Sequence, residues 1–328
     1  MLQPFTYDDV IETVFSMALD KSLGPNGFNP AFYQHFWDDV GHDVASFIID
    51  CLQSCCKPMG MNGANITLIP KKAVPNTMGD LRPIALCNVT YKILAKMVAN
   101  RLKDVLESVI SETQSAFIPR RLFIDNVLIA SEVIHYLNRK REGITCWCGL
   151  KLDMSEAYDK MEWCYLRFIM EKMGFDKAWI DLIMLCVSTV RYKVMVNGIL
   201  TDYIIPSRGL RQGDPLSPYL FILCAEGLSH LLTKASQDGR VSPCVVARGA
   251  PGISHLFFAD DSLLFFKSTV LEASLFSLIM QHLSLENSTL YPLSQNLLVL
   301  RGLNFNPSTY KTSLIFSLLH EISPIPFV

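Results

Sequence analysis

The chain has no run of eighteen apolar residues, the length a helix needs to cross a bilayer, so no membrane span is expected. Its first residues, Met1-Leu2-Gln3-Pro4-Phe5-Thr6-Tyr7-Asp8, carry neither a basic leader nor an apolar core and do not read as a secretory signal. It also lacks an excess of either charge: Lys plus Arg number 29, Asp plus Glu 31, for a formal net charge of −2. A nucleic-acid partner therefore has no global electrostatic support, and local basic clusters would have to hold it. Cysteine is present ten times, but never in the paired Cys-x-x-Cys spacing of a structural zinc site. Cys51, Cys55 and Cys56 cluster, and Cys146 and Cys148 alternate on an expected strand. They read as reduced core residues of an intracellular protein.

What is present is apolar substance. Half of the 328 residues are hydrophobic, enough for a sizeable core in two domains or one domain with subdomains. Residues 6–23 carry Val10, Ile11, Val14, Phe15, Met17 and Ala18 at helical spacing. Turn residues then break the pattern from Ser22 to Phe28. Asn29-Pro30 reads as an N-cap followed by proline at the first helical position. The aromatic stripe after it, from Phe32 to Cys51, reads as core. Ala64–Pro70 is a short β-branched strand followed by Lys71-Lys72, a turn-rich loop and Leu81-Arg82-Pro83-Ile84. Lys71, Lys72 and Arg82 are either a solvated surface or a basic flap suited to a polyphosphate. Asn88 is expected to cap a helix over roughly 89–110, whose Lys92, Lys96, Arg101 and Lys103 form a basic side. That side is either solvated or able to track a phosphate backbone. A further helix is expected to start near Asp125, another bears Trp163, Leu166, Phe168, Ile169 and Met173 after the turn at Met154–Asp159, and another covers 176–190. Asn197-Gly198 reads as a hairpin turn.

Two segments carry candidate chemistry. Cys146–Asp153 reads as a strand ending in a carboxylate, a place where α/β folds commonly put chemistry. Ser254-His255-Leu256-Phe257-Phe258-Ala259-Asp260-Asp261-Ser262-Leu263-Leu264-Phe265-Phe266 sets two adjacent carboxylates between two short aromatic runs. It reads as a β-hairpin with Asp-Asp at the turn. Asp favours turns in any case, but two like charges side by side repel. A divalent cation shared with a third carboxylate would relieve that repulsion. Between these segments, Leu210-Arg211-Gln212-Gly213-Asp214-Pro215 forms a glycine-bearing loop that can contact a nucleotide or serve only as a capped turn before the next helix.

Together these motifs resemble, in order, those of the reverse transcriptase domain of LINE-type (non-LTR) retrotransposons, in the form abundant in plants. The matching stretches are Lys21–Phe28, Ile69–Lys72, Asp80–Ile84, Gln114–Pro119, Leu152–Asp159, Leu210–Pro218 and Phe258–Asp261. The resemblance covers about residues 1–283; Asn26 stands where the family usually has aspartate, and Arg120 where it often has glycine. It implies an α+β polymerase right hand with palm and fingers; because the chain stops resembling the family after about His282, the family's thumb is expected to be absent or degenerate. The implied division is an N-terminal helical extension over 1–60, fingers over 61–142, the palm over 143–270 and a divergent tail over 271–328. Leu and Ser make up roughly two-fifths of that tail, which is expected to be out of frame or disordered.

The resemblance further implies an RNA-directed DNA polymerase with an RNA template, a DNA primer and dNTPs, using two Mg2+ ions, with Mn2+ as a substitute. Asp153, Asp260 and Asp261 would be the carboxylate ligands, and the backbone carbonyl of Met154 a further ligand. Tyr158 would close off the 2′ position of the incoming sugar. Arg82 with Lys71 or Lys72 would hold the triphosphate, and Gln212 would contact nucleotide and template. A nuclear site of action follows from the resemblance alone, as does the expectation that the chain begins inside a longer polyprotein. The competing expectation is an inactive relic that at most binds nucleic acid.

Overall fold

The structure, a computed structural model, describes residues 3–55, 60–139, 147–153, 158–285 and 298–301. It is mixed α and β, in two compact units that are each discontinuous in sequence. One takes Met1–Val109 and Tyr158–Cys224, the other Ile110–Ala157 and Ala225–Val328.

The first unit opens with α1 (Tyr7–Phe15), started by a capping box in which Thr6 and Asp9 satisfy each other's backbone N–H groups. The expected helix over 6–23 therefore stops at Phe15. Asn29 caps α2 (Pro30–His35) by accepting from the Phe32 N–H at 3.1 Å, with proline at its first position as the sequence indicates. The aromatic stripe is not one helix: Phe36 leaves helical geometry, and α3 (Trp37–Gln53) starts afresh. Val10, Val14, Tyr33, Trp37, Ile48 and Cys51 of the expected apolar positions are buried, but Phe15, Phe36 and Phe47 are exposed, so the aromatic stripe is core only in part.

Strands β1 (Gly63–Pro70) and β2 (Leu81–Cys87) pair antiparallel, from Ala64 opposite Cys87 to Pro70 opposite Leu81. Two further strands, β4 (Arg191–Val196) and β5 (Ile199–Leu200), complete a sheet of order β2-β1-β4-β5, with β1 and β4 parallel. Pro83, which offers no N–H, lies in β2 at the sheet edge, where a missing donor is tolerated. Asn197 and Gly198 both have positive φ, +49° and +80°, as the tight turn between β4 and β5 demands. Helix α4 (Val89–Val109) supplies the densest core, including Tyr91, Ile93, Leu94, Val98, Leu102 and Leu106. Helices α6 (Trp163–Lys172) and α7 (Lys177–Ser188) pack together.

Two readings of α4 change. Asn88 does stand before the helix, but its side chain accepts from the Asn26 N–H and donates to the carbonyls of Gly60 and Met61. Three cations of the basic side, half-buried or buried, are engaged by the chain itself. Lys92 is buried and donates to Ser22 O, Lys96 reaches Ser16, and Arg101 donates to the carbonyls of Gln3 and Pro4 while lying over the Phe5 ring. These three bind the chain N-terminal to the helix, whereas Lys103 donates to Asn100 Oδ1 at 3.2 Å and lies over the Tyr219 ring.

In the second unit, α5 (Phe123–Arg139) lies on a sheet formed by β3 (Trp147–Asp153), β6 (His255–Phe258), β7 (Asp261–Lys267) and β8 (Leu298–Arg301), in the order β6-β7-β3-β8. Ala130, Val133 and Leu137 of α5 meet Leu256 and Phe265 in its core. Helix α8 (Ser217–Gln237) runs from the first unit's segment into the second's. Within the range of the expected tail, the structure describes α9 (Val270–Leu285) and β8; residues 286–297 and 302–328 lie outside the described residues.

Candidate functional site

The two aromatic runs pair as the sequence indicates: Phe258 lies opposite Asp261, leaving Ala259 and Asp260 as a two-residue loop. Asp260 is thus the exposed turn residue, and Asp261 opens β7. Ala259 has φ +60°, a left-handed conformation that costs an L-residue about 1–2 kcal/mol. Positive φ at the first loop position is what a type II′ hairpin turn requires, and glycine usually provides it.

The register of the neighbouring strand brings in the distant carboxylate. Strand β3 pairs with β7 from Trp147 opposite Lys267 to Asp153 opposite Asp261. The backbone positions of Asp153 and Asp261 face each other across an antiparallel ladder, 108 residues apart in sequence, with Asp260 one residue along. The side chain of Asp153, and all of Met154, lie outside the described residues. Among the described residues, no three His, Cys, Asp or Glu side chains gather closely enough to hold a metal ion. The donor chemistry nonetheless suits a hard divalent cation: three carboxylates, two in register and one in the adjoining turn.

Two residues to which the sequence assigned no role support this hairpin. Lys151, two positions before Asp153, reaches diagonally across the ladder and places Nζ 3.0 Å from Asp261 Oδ1. Gln114 is buried, and its Oε1 accepts from the N–H groups of Ala116 at 2.9 Å and of the strained Ala259 at 3.2 Å. Around it the loop is stitched to the edge of β6. The Phe257 N–H donates to Thr113 O at 2.8 Å, and Asn126 donates to Thr113 O and Phe257 O. Arg121 gathers the carbonyls of Ile110, Ser111 and Gln114. Behind the hairpin, His255 accepts or donates through Nε2 to Ser229 Oγ at 2.9 Å and Thr113 Oγ1 at 3.1 Å, and Nδ1 meets Ser254 Oγ. Burial pushes its imidazole down to about 4. Ser111 links this network to Glu226, whose carboxyl burial holds above its usual range.

In the other unit, the candidate triphosphate residues stand on and beside β1 and β2. Lys71 Nζ donates to Gly79 O at 2.9 Å, and Lys72 Nζ pairs with Asp80 at 2.9 Å. The Lys72 ammonium, with the Asn76 and Thr77 N–H groups, holds the Asp80 carboxyl down to about 2. Both lysines are thereby drawn back over their own loop. Arg82 is exposed on edge strand β2, opposite Ile69 of β1, and its side chain has no hydrogen-bond or ion-pair partner among the described residues.

Gln212 is half-buried, and its carbonyl accepts from the Ala85 N–H at 3.0 Å, tying its loop to β2. Its neighbour Arg211 does not face a nucleotide. It is buried, donates to Asn62 Oδ1 and to Cys87 Sγ at 3.2 Å, lies over the Tyr91 ring and pairs with Asp214 at 3.6 Å. Asp214 in turn accepts from Tyr91 Oη at 2.6 Å and from the Leu216 N–H at 2.9 Å. This buried cluster anchors the loop and starts the helix after it. Gly209 has φ +92°, and a Cβ there would stand 2.9 Å from Asp159 O. The close approach lets Leu210 N–H bond Tyr158 O. The Tyr158 ring stacks on buried Phe221, centroids 5.2 Å apart and planes 17° apart, which fixes its orientation.

With this geometry in view, the family model described as "Reverse transcriptase (RNA-dependent DNA polymerase)" matches residues 69–291. The chain belongs to the reverse transcriptase family. Its relatives include the "Transposon TX1 uncharacterized 149 kDa protein" of Xenopus laevis, 30% identical over 80% of this chain and 19% of the relative. The Pol polyprotein of the type-2 retrotransposable element R2DM of Drosophila melanogaster is 26% identical over 76% of this chain and 22% of its own length. An uncharacterized mitochondrial protein of Arabidopsis thaliana is 54% identical over 68 residues, 21% of this chain and 56% of its own length. This reverse transcriptase chain therefore spans about a fifth of the length of these two retroelement proteins. The family uses divalent metal ions, nucleic-acid templates and dNTPs, and no helix among the described residues is long and apolar enough to cross a membrane.

Proposed function

We propose that this chain is the RNA-directed DNA polymerase domain of a non-LTR retroelement, transferring a nucleotidyl group from a dNTP to a primer 3′-hydroxyl on an RNA template. The observation that carries the reading is the β3–β7 register, which sets Asp153 opposite Asp261 with Asp260 in the adjoining turn, in a chain of this family. Asp153, Asp260 and Asp261, with the Met154 carbonyl, would hold two Mg2+ ions. Bound there, the ions supply a more acidic primer 3′-hydroxyl and neutralise charge on the leaving pyrophosphate. The rest falls to side chains. Arg82, with Lys71 or Lys72, orients the triphosphate, which must draw the lysines off Gly79 and Asp80. Tyr158, held by its stack on Phe221, excludes a 2′-hydroxyl. Gln212 meets the templating pair from a loop locked by Arg211. In this reading 61–142 are fingers and 143–270 palm, with 1–60 an N-terminal extension bound to α4. The Arabidopsis relative supports a plant-type element over its 68 matched residues.

Primer extension on poly(rA)/oligo(dT) tests the reading. Metal-dependent dTTP incorporation is expected, reduced at least about a thousandfold in Asp260→Ala, the scale of losing a principal electrostatic group. A folded protein that incorporates nothing would instead be an inactive relic, and equal incorporation by the variant would mean a contaminant.

A further inference from the structure

We propose that Lys151 is the internal counter-cation of the carboxylate site: in the metal-free protein its ammonium occupies Asp261, and a divalent ion must displace it to bind. The inference rests on the polymerase reading and adds to it a residue that tunes metal affinity.

The register gives the reason for such a group. Like charges directly opposed on paired strands destabilise the pairing, and Asp153 opposite Asp261 is such a pair, with Asp260 adding a third carboxylate beside it. Without metal, the hairpin needs another cation. Lys151 is built into the same ladder. It lies opposite Leu263, one diagonal step from Asp261, and its Nζ stands 3.0 Å from Oδ1 of that carboxylate. Lysine suits the role because its ammonium is a compact point charge on a flexible stem, able to settle on a carboxylate oxygen and to leave it.

Exposure decides whether the contact is permanent. The side chains of Lys151 and Asp261 are 43% and 46% exposed. A half-exposed ion pair is weak, so it can yield to an ion of twice the charge. The oxygen that Lys151 holds is also one that Mg2+ would claim. Lys151 is accordingly a positioning residue. It keeps the carboxylates together before metal arrives and sets the metal concentration at which they exchange partners.

Mn2+ binding to the full chain without nucleic acid, followed by electron paramagnetic resonance of the free ion, tests this apart from catalysis. Lys151→Met should bind Mn2+ about five- to tenfold more tightly, as expected when a nearby positive charge is removed under partial screening. Lys151→Arg should remain within about twofold of wild type. Lys267→Met, six residues along β7 from Asp261, should not change. In EDTA the melting temperature of Lys151→Met should fall below wild type, and saturating Mn2+ should close the gap. Lys151→Gln provides the same comparison if the methionine variant does not fold. Wild-type Mn2+ affinity in Lys151→Met and Lys151→Gln, or an equal gain in Lys267→Met, would overturn the displacement. An Asp260→Ala protein with undiminished Mn2+ binding would overturn the polymerase site itself, so the two failures are distinguishable.

Discussion

Arg211 is held by five groups at once: Asn62, Cys87, the Cys186 carbonyl, the Tyr91 ring and Asp214. Burial raises the Tyr91 hydroxyl well above its ordinary range, so it stays protonated and donates to Asp214. Replacing Arg211 with methionine keeps volume but leaves the Asp214 carboxylate buried beside a neutral chain. Breaking one side of a buried pair typically costs about 3–5 kcal/mol. Urea unfolding of Arg211→Met should show a loss of that size, and a loss under about 1 kcal/mol would mean that the pair does not anchor the loop. None of this was legible locally. Arg-Gln-Gly-Asp between helix and strand patterns reads as a polar, nucleotide-facing loop because its partners Cys87 and Asn62 lie 124 and 149 residues earlier. Burial is set by those partners, and no local spacing reports them.

At the scale of elements, the carboxylate hairpin was readable and its support was not. Two aromatic runs flanking a short polar gap identify β6 and β7, and Asn29-Pro30 identifies the start of α2, because each signal lies within one element. The parallel pairing of β1 with β4 and the clasp of Gln114 on Ala259 are set by contacts between elements. The hairpin also carries a testable acid response. His255 is buried in β6 with its imidazole lowered from 6.5 to about 4. Above the unfolded value both states are neutral and its contribution is complete. As pH falls from 6.5 towards 4 the unfolded chain takes up a proton that the native one refuses, so stability is lost, by about 3 kcal/mol across that window. Glu226 works in the opposite sense. Its carboxyl is raised by burial, so its contribution is present below the ordinary carboxylate value and is lost as pH rises through the native one. Urea midpoints measured from pH 7 to pH 4 should fall in wild type and fall clearly less in His255→Gln. Parallel slopes would locate the acid sensitivity elsewhere.

Over the whole molecule, a net charge of −2 with 29 Lys and Arg makes the commitments of individual cations matter more than their number. The counterion-release strength of a nucleic-acid complex depends on the cations free to meet phosphates. In this chain, much of the basic character visible in the sequence is used internally. Lys92, Lys96 and Arg101 hold the segment before α2, Lys72 holds Asp80, and Lys151 holds Asp261. By sequence the basic face of α4 was either solvated or a phosphate track, and its Lys92, Lys96 and Arg101 instead bind the chain before α2. Arg82 is different: exposed, on an edge strand and without an ionic partner among the described residues. The two kinds of cation should separate by measurement. Arg101→Ala gives up bonds to two carbonyls, an ion pair with Asp9 and its seat on Phe5. It should lose about 1–2 kcal/mol of stability and leave the KM for dNTP unchanged. Arg82→Ala should unfold within about 0.5 kcal/mol of wild type, as surface substitutions usually do, while its KM for dNTP rises about tenfold or more, the scale of one charge-assisted contact to phosphate. Should Arg82→Ala lose stability and keep its KM, Arg82 would be supporting β2 itself, and the triphosphate would have to be gripped from elsewhere.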